Sequence, residues 1–429
     1  MQSALAGWTR RIIRHSSTGL PTQAGRGSLT ALAAVLVLLS IQGVAWASPQ
    51  LYSHGDPSAN EQYMLELINR ARANPAAEGQ RLATTTDTNV LGAYSFYGVN
   101  TSTVISDFNS YSAVPPLAFN PILISTARAH SNLMVTDNSQ SHQLPNEPDL
   151  GTRITNAGYT GWSSLGENIY AYCFSVFYGH AGLQVDWGNP GLGHRINIMG
   201  LNGTDYQEIG IGIVNGPGNG NGNQTGPLVI TQDFGLISGN NYLLGVAYDH
   251  SASSDGSYAP GSGISGVTIT LSQGNNYAVT STSGGYAIPI NGLSGNVTVT
   301  AVGNGVDAQT TVNLTGNNVK VDFGKVDLFN GSAVNGANMK WSSWFGYYNY
   351  AAYPIVYEFN LGYEYVYDAG NGGVYLFDYH SGHFWYTQGS YYPFVYDYSL
   401  NTFLYYYTNN ANGATRYFFN YAANKVITE

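Results

Sequence analysis

Hydrophobic and polar residues follow different periods along the chain, which divide it into three parts after a leader. Between residues 56 and 240 the period of an α-helix is prominent. The segment that begins DPSANEQYMLELINRAR starts with a capping box formed by Ser58 and Glu61. The segment FNPILISTARAHSNLM starts with Asn120 as an N-cap and Pro121 at the first helical position. Both segments are therefore predicted to be amphipathic helices of one domain.

Strand-like alternation closes this first part and fills the second. EIGIGIV at 208–214 and PLVITQDFG at 227–235 predict two strands joined by a loop rich in Gly and Asn. Residues 241–325 contain only short alternating segments, among them SGVTITLSQ, GGYAIPI and GNVTVTAVG. Turn residues separate these segments, which is typical of a small immunoglobulin-like β-sandwich.

The start of this second part resembles carboxypeptidase-regulatory-like and adhesin B-type modules, some of which hold calcium. The segment YDHSASSDGSYAPGSGISGVTITL carries the resemblance. Asp249 and Asp255 are its acidic residues, and Ser262 stands where a further acid is expected. Calcium requires six to eight oxygen ligands. We therefore expect a solvated loop here and no calcium site.

The third part, residues 326–429, is rich in tyrosine. YPIVYEFNLGYEYVY at 353–367 recurs as YPFVYDYSLNTFLYY at 392–406, and related segments between and after them reduce the repeating unit to about 20 residues. Each unit predicts an antiparallel aromatic hairpin stacked on the next in one sheet. Alternation should turn one set of side chains to one face and a second set to the other. The first set is Tyr392, Phe394, Tyr396 and Tyr398, and the second is Val395 and Asp397.

The leader, residues 1–47, is predicted to be a signal peptide. Four arginines precede an apolar run from Leu29 to Trp46, and AWAS offers a cleavage site after Ala47. An uncleaved membrane anchor is the alternative, because the run is almost long enough to span a bilayer. We expect a secreted or cell-surface protein, and membrane attachment only if the leader is retained.

Composition argues against nucleic acid as a partner and excludes an internal disulfide. Without the leader arginines the chain has 11 basic and 25 acidic residues, so it lacks the basic surface that nucleic acid requires. Charged residues make up only 9% of the chain, against a usual value of about 25%. The single cysteine, Cys173, excludes an internal disulfide.

Candidate chemistry is concentrated in the first part. Glu167, in SSLGENIYAY, is the only Asp, Glu, Lys or Arg between Arg153 and Asp186. His142 in NSQSHQL precedes it, and His194 in VDWGNPGLGHRINIM follows it. An isolated carboxylate in an apolar stretch needs partners, so Glu167 is expected either to brace a turn and pair with a histidine or to act as a catalyst.

These motifs, taken in order, resemble the bacterial branch of the CAP superfamily (the cysteine-rich secretory, antigen 5 and pathogenesis-related-1 type, or SCP domain). MLELINRAR, GENI, GHRINIM, EIGIGIV and TQDF carry the resemblance, which extends over about 175 residues. It implies that 48–240 folds as an α-β-α sandwich with a central cleft. The implied fold is thus multidomain: this CAP-like sandwich, an immunoglobulin-like β-sandwich at 241–325 and aromatic hairpins at 326–429.

The resemblance also implies that His142, Glu167 and His194 line the cleft, and that His142 and His194 are candidate ligands of a divalent metal such as zinc. Longer members have a second glutamate just after the tryptophan, where this chain has Asn189 and Pro190. Asp186 can replace that glutamate only if the helix before it turns differently. No cofactor is assigned with certainty, and enzymatic activity is left open.

Two functions follow from these patterns. The first is a secreted or envelope-associated binding protein, with a small or lipid-like ligand in the CAP-like cleft and the β-domains as spacer and envelope-binding tail. The alternative is a metal-dependent hydrolase that acts on peptide or cell-envelope material. The tail resembles the aromatic repeats of cell-wall-binding modules but lacks the choline-binding pattern, so a neutral envelope polysaccharide is its expected partner, and a purely structural tyrosine ladder is the alternative.

Overall fold

The computed structural model describes residues 48–203, 205–249, 252–253, 257–324, 328–329, 332–334, 339–370, 372–408 and 415–428. The predicted signal peptide, and Asp255 of the acidic loop, lie outside the described residues. Within these ranges no helix is both long enough and apolar enough to cross a bilayer.

The first domain is built around a four-stranded sheet between two helical layers. Its helices are α1 (Ala59–Ala73), α2 (Pro75–Ala83), α3 (Thr88–Tyr97), α4 (Thr101–Ser110), α5 (Pro121–Thr136), α6 (Leu150–Asn156), α7 (Val176–Val185) and α8 (Gly193–Met199). Its strands are β2 (Ala118–Phe119), β3 (Ser164–Cys173), β4 (Glu208–Asn215) and β5 (Leu228–Leu236), in the order β2-β4-β5-β3. A short strand, β1 (Gln50–Leu51), precedes the domain. The predicted α-β-α sandwich is thereby confirmed.

Local sequence signals place the two central helices as expected. The Ser58–Glu61 capping box starts α1, and Asn120 caps α5 with Pro121 in its first turn. Helix α5 packs closely on the sheet because β4 carries Gly210 and Gly212. A Cβ atom at either glycine would overlap the α5 backbone. This close approach accounts for the glycines of the EIGIGIV segment.

The second domain is a β-sandwich, as predicted. Its strands are β6 (Tyr242–Tyr248), β7 (Thr268–Leu271), β8 (Asn276–Val279), β9 (Gly285–Pro289), β10 (Gly295–Gly303), β11 (Val306–Leu314), β12 (Val319–Lys320) and β13 (Phe323–Gly324). One sheet has the order β1-β8-β7-β10-β11, and β6 pairs with β12, β13 and β9 in the other. A buried apolar cluster that includes Val267, Ile269, Ile288 and Val299 lies between them.

A short strand at residues 50–51 joins the two domains. Residues 50 and 51, assigned to the CAP-like domain from the sequence, pair in parallel with β8 of the β-sandwich. Two residues of β-structure carry too little pattern to reveal a pairing with a strand more than 200 residues away. The side chain of Asn318 joins the domains again, donating to the backbone oxygens of Pro116 (2.9 Å) and Gln207 (2.7 Å).

The tail forms one antiparallel sheet of eleven strands in chain order, which confirms the predicted stack of hairpins. The strands are β14 (Ser332–Ala333), β15 (Met339–Ser342), β16 (Gly346–Asn349), β17 (Ile355–Glu358), β18 (Gly362–Gly370), β19 (Gly373–Asp378), β20 (His383–Gln388), β21 (Phe394–Asp397), β22 (Thr402–Tyr406), β23 (Tyr417–Asn420) and β24 (Lys425–Thr428). Val395 and Asp397 are buried, and Phe394 and Tyr398 are exposed, as the alternation predicts. Tyr392 departs from it: it precedes β21 and packs against Trp344 and Phe345 of the core.

A buried acid at the end of one strand explains the repeat of about 20 residues. The carboxylates of Glu358, Asp378 and Asp397 each accept backbone N–H groups two and three residues further on, in the turn that follows. Because the strand reverses there, each acid fixes one hairpin turn. His383, the first residue of β20, pairs through Nδ1 with Asp397 at 2.8 Å.

Candidate functional site

Glu167 projects from β3 towards the helical layer formed by α5 and α6. Its Oε1 lies 2.8 Å from Nδ1 of His142, and its side chain is almost fully buried whereas that of His142 is 59% exposed. Its Oε2 contacts the guanidinium of Arg153 and lies 3.8 Å from Nε2 of His130. The expected pairing of Glu167 with a histidine is therefore present, and an arginine supplies the opposite charge.

A buried charge network extends from this contact. Arg153 lies 3.4 Å from Oε1 of Glu147 and 3.9 Å from Oδ1 of Asp233, a residue opposite Glu167 in the β3–β5 ladder. His130, on α5, is fully buried and bonds Glu147 through Nδ1 at 2.8 Å. Buried carboxylates require such partners, so the network holds α5 and α6 against the sheet.

Sequence reasoning did not find Arg153, Glu147 or Asp233 as site residues. Arg153 is the charged residue that precedes Glu167 along a chain with few charges. That proximity in sequence was a signal, but only the fold shows that one arginine serves three carboxylates.

The environment favours the neutral form of both histidines on this face. Burial, and next the charge of Arg153, lower the pKa of His142. Burial also lowers the pKa of His130, and its bond to Glu147 opposes that shift only in part. Both imidazoles therefore stay uncharged to lower pH than an unperturbed histidine, and neither becomes a fixed cation beside Glu167 at neutral pH.

The pH dependence of stability tests the position of Asp233. Burial raises the pKa of this carboxyl group from 3.8 to about 6, against the opposing effects of Thr126 and Arg153. The unfolded chain therefore ionises first. The contribution of Asp233 to stability is complete below pH 3.8 and is lost as the pH rises to about 6. We expect the non-ionising variant Asp233→Asn to lack this decrease, which is on the order of 2 kcal/mol.

Urea unfolding of both proteins between pH 4 and 7 measures this difference. The free energy of unfolding of the unmodified protein, relative to that of Asp233→Asn, should fall across the interval. Parallel pH profiles would show that Asp233 ionises at its ordinary pKa and that its burial has been misjudged.

The second candidate histidine, His194, is paired with the carboxylate of Asp186. Asp186 follows the last residue of α7 with a left-handed backbone (φ 59°), so the helix ends there and the side chain turns back towards α8. Its Oδ1 lies 2.7 Å from Nδ1 of His194, and its Oδ2 accepts the backbone N–H of His194 at 3.0 Å. Asp186 is thus the carboxylate partner of His194, and its replacement of the missing glutamate stays a prediction.

Neighbouring residues of β3 support the two histidine–carboxylate pairs from opposite faces. Glu167 binds His142 directly, whereas the next residue, Asn168, donates its side-chain amide to the backbone oxygen of His194 at 3.2 Å. Side chains of successive residues in a strand alternate between faces. The two pairs therefore lie on either side of β3, which is the edge strand of its sheet.

A cleft of about 410 Å³ lies along this edge. Its apolar walls are formed by Tyr97, Ile169, Tyr170, Tyr172, Leu183 and Trp187. Its polar lining is formed by Gln140, Asp186, Asn189 and His194. Of the three predicted cleft residues, His194 lies in this lining, whereas His142 and Glu167 are not among the lining residues and form their pair on the other side of β3. The volume is within the range of small-molecule sites, about 300–1,000 Å³.

The donor set does not fit a hydrolytic zinc centre. Such a centre has three protein ligands. Among the described residues, no group of three or more His, Cys, Asp and Glu side chains is placed to hold a metal ion. Arg153 engages Glu167, and His194 engages Asp186, so neither carboxylate serves as a third ligand. Binding of one metal ion by His142 and His194 together stays a prediction.

The comparison with protein families agrees with the motifs. Residues 65–234 match the family model described as CAP, the cysteine-rich secretory protein family. Among solved structures, the chain is similar to the 1.5 Å crystal structure of an extracellular protein containing an SCP domain from Bacillus anthracis strain Ames, with 23% identity and a TM-score of 0.22. The match covers 31% of this chain and 37% of that one, so this chain spans little more than a third of that protein. No curated protein matches the chain.

Proposed function

Because residues 65–234 form a CAP domain of the cysteine-rich secretory protein family, we propose that this chain is an exported protein whose CAP domain binds a small amphipathic molecule. The observation that carries the proposal is the cleft beside β3, with aromatic side chains on its walls and His194 among its polar groups. A concave site of this kind takes the body of a ligand between apolar groups and orients its polar end with a few hydrogen bonds.

The polar groups of the cleft favour a hydroxyl at the ligand's polar end. A carboxylate only accepts hydrogen bonds, so Nδ1 of His194 carries the proton shared with Asp186, and in that tautomer Nε2 is an acceptor. Gln140 accepts the backbone N–H of Ala171 through Oε1, which leaves its amide hydrogens as donors. A hydroxyl group donates to one and accepts from the other. An anionic ligand would meet the charge of Asp186.

Binding is better supported than hydrolysis. Cys173 is the only cysteine of the chain, and complete burial raises the pKa of its thiol well above the usual range, which disfavours the nucleophilic thiolate. Within the part of the chain that the structure describes, no third metal ligand lies with His142 and His194. The metal-dependent hydrolase considered from the sequence is therefore the less supported alternative.

The other domains fit a protein that acts outside the cell. The leader is expected to direct export, and the β-sandwich contacts the CAP domain through Asn318. The tail turns many aromatic side chains to solvent, including Tyr363, Phe384 and Tyr421. We propose that this surface attaches the protein to the cell envelope, and that the β-sandwich spaces the CAP domain from it.

Calorimetric titration of residues 48–429 with 1-dodecanol and with dodecanoate tests the cleft. We expect 1-dodecanol to bind more tightly because its hydroxyl satisfies both polar groups. Tyr172→Ala should weaken its binding about tenfold, since an aromatic wall is lost. His194→Phe should remove the preference for the alcohol, because the acceptor Nε2 is lost while the ring shape is kept.

Trp162→Ala is the matched control. Trp162 is also half-buried, but it packs beside α6 with its Nε1 bonded to Thr155, away from the cleft. Its replacement should leave the affinity unchanged. Equal affinities for the alcohol and the acid, or a loss of affinity in Trp162→Ala as large as that in Tyr172→Ala, would contradict the proposed site.

A further inference from the structure

The outward face of the tail sheet is aromatic and almost free of charge. Tyr363, Phe384, Tyr398, Phe403 and Tyr421 are each between 45% and 60% exposed. The acids of the repeat turn inward, and Arg416 is buried against Asp378. Among charged residues of the tail whose side chains the structure describes, only Lys425 is exposed.

This distribution is the reverse of the usual one, in which charged side chains cover the surface and aromatic side chains fill the core. An aromatic surface this extensive marks a binding site. The ligand must therefore bind a surface without charged groups, and it must form hydrogen bonds with tyrosine hydroxyls.

One open cavity of about 820 Å³ interrupts this face at the β21–β22 hairpin. Phe394, Tyr396, Phe403 and Tyr421 line it together with the polar side chains of Ser390 and Asn401. No acidic or basic residue is among the lining residues. The cavity therefore combines aromatic rings with neutral hydrogen-bonding groups.

The two ring pairs in the cavity differ in the angle between their planes. Tyr396 and Phe403 pair with centroids 5.1 Å apart and an interplanar angle of 72°, whereas Phe394 and Tyr421 are 6.1 Å apart at 34°. In an edge-to-face pair one ring uses only its edge, so its faces stay available to a ligand. Asn401 accepts the hydroxyl of Tyr396 at 2.7 Å through Oδ1, which leaves its amide hydrogens as donors.

From this combination we infer that the cavity at the β21–β22 hairpin binds a neutral pyranose glycan of the cell envelope. The C–H face of a pyranose ring carries partial positive charge and is attracted to the negative face of an aromatic ring. The sugar hydroxyls bond the amide of Asn401 and the hydroxyls of Ser390 and the tyrosines. Anionic polymers lack a cationic partner here, because Arg416 is committed to Asp378.

This inference rests on the proposal that the tail attaches the protein to the envelope, and it specifies the site and the chemistry. Experiments can contradict the attachment proposal and the glycan inference separately. If residues 48–429 do not sediment with isolated cell envelopes, the attachment itself is wrong. If they sediment but neutral glycans do not bind the cavity, only the inference is wrong.

Calorimetric titration of residues 48–429 with chitotetraose and maltotetraose, with tetragalacturonate and phosphatidylcholine vesicles as comparators, is the test. We expect at least one neutral tetrasaccharide to bind with a Kd of about 1 mM or below. Tyr421→Ala should weaken that binding about fivefold or more, since one ring of the cavity is lost. Asn401→Gly should weaken it as well while it preserves the left-handed turn at φ 50°.

Tyr347→Ala is the matched control, because Tyr347 and Tyr421 are both tyrosines of the tail with 51% exposure, and only Tyr421 lines the cavity. It should change the affinity less than twofold. Circular dichroism confirms that each variant is folded. The inference is overturned if neither neutral saccharide binds, if tetragalacturonate or the vesicles bind as tightly, or if Tyr347→Ala weakens binding as much as Tyr421→Ala.

Discussion

Replacing Arg153 with alanine is expected to lower the free energy of unfolding by about 3–5 kcal/mol. The guanidinium is 9% exposed, contacts Glu167, and lies within 4 Å of Glu147 and Asp233. Its removal leaves these carboxylates buried with their opposite charge gone, and the cost of an unpaired buried charge exceeds the energy of the pair itself. Helices α5 and α6 would lose their common attachment to β3 and β5.

Arg81→Ala is the control for this change. Arg81 pairs with Glu78 at 3.2 Å, but its side chain is 48% exposed, and Glu78 keeps Arg70 and His180 as partners. Its removal should cost only about 0–1 kcal/mol. Urea unfolding followed by tryptophan fluorescence at pH 7 compares the variants. Equal losses for Arg81→Ala and Arg153→Ala would mean that the network beneath Glu167 is no stronger than a surface ion pair.

Replacing Glu208 with alanine is expected to destabilise the CAP domain and its junction with the β-sandwich together, by about 3 kcal/mol or more. The carboxylate is fully buried and accepts from the Asn120 amide and from the hydroxyls of Tyr159 and Tyr242. The first two belong to the CAP domain, and Tyr242 begins β6 of the β-sandwich. Three buried donors would lose their acceptor at once, at about 1–3 kcal/mol each.

Tyr242→Phe measures the contribution of the one hydrogen bond to Glu208 that comes from the β-sandwich, because it removes that donor and leaves Asn120 and Tyr159 bonded. It should cost about 1 kcal/mol. Differential scanning calorimetry of residues 48–429 shows whether the domains unfold as one unit. A Glu208→Ala variant that melts at the temperature of the unmodified protein would contradict the coupling inferred at this junction.

Local signals in the sequence were sufficient for several elements. The capping box at Ser58 and the Asn120–Pro121 pair predict where α1 and α5 begin, because the hydrogen bonds of these caps lie within one helical turn. The alternation around Val395 predicted one buried and one exposed face in the tail for the same reason: side-chain direction in a strand is set locally.

The parts that sequence reasoning missed depend on contacts between distant residues. Arg153 comes within 4 Å of Asp233 only when α6 packs beside the sheet. Residues 50–51 pair with β8 only when the whole chain is folded. The role of Asp186 depends on where α7 ends. The helix ends just before Asp186, which has a left-handed backbone although it is not glycine, so no clear signal in the sequence marks this helix end. Tyr392 points inward because a turn, where alternation no longer applies, precedes β21.

Photo-crosslinking tests the central claim, that the CAP domain binds its ligand in the cleft beside β3. A 1-dodecanol analogue with a diazirine on its chain would be irradiated with residues 48–429, and the modified peptides mapped by mass spectrometry. We predict labelling at the cleft walls, within residues 169–172 and 183–187, and competition by unlabelled 1-dodecanol. Saturable labelling confined to the tail, with none along β3 or α7, would contradict the claim.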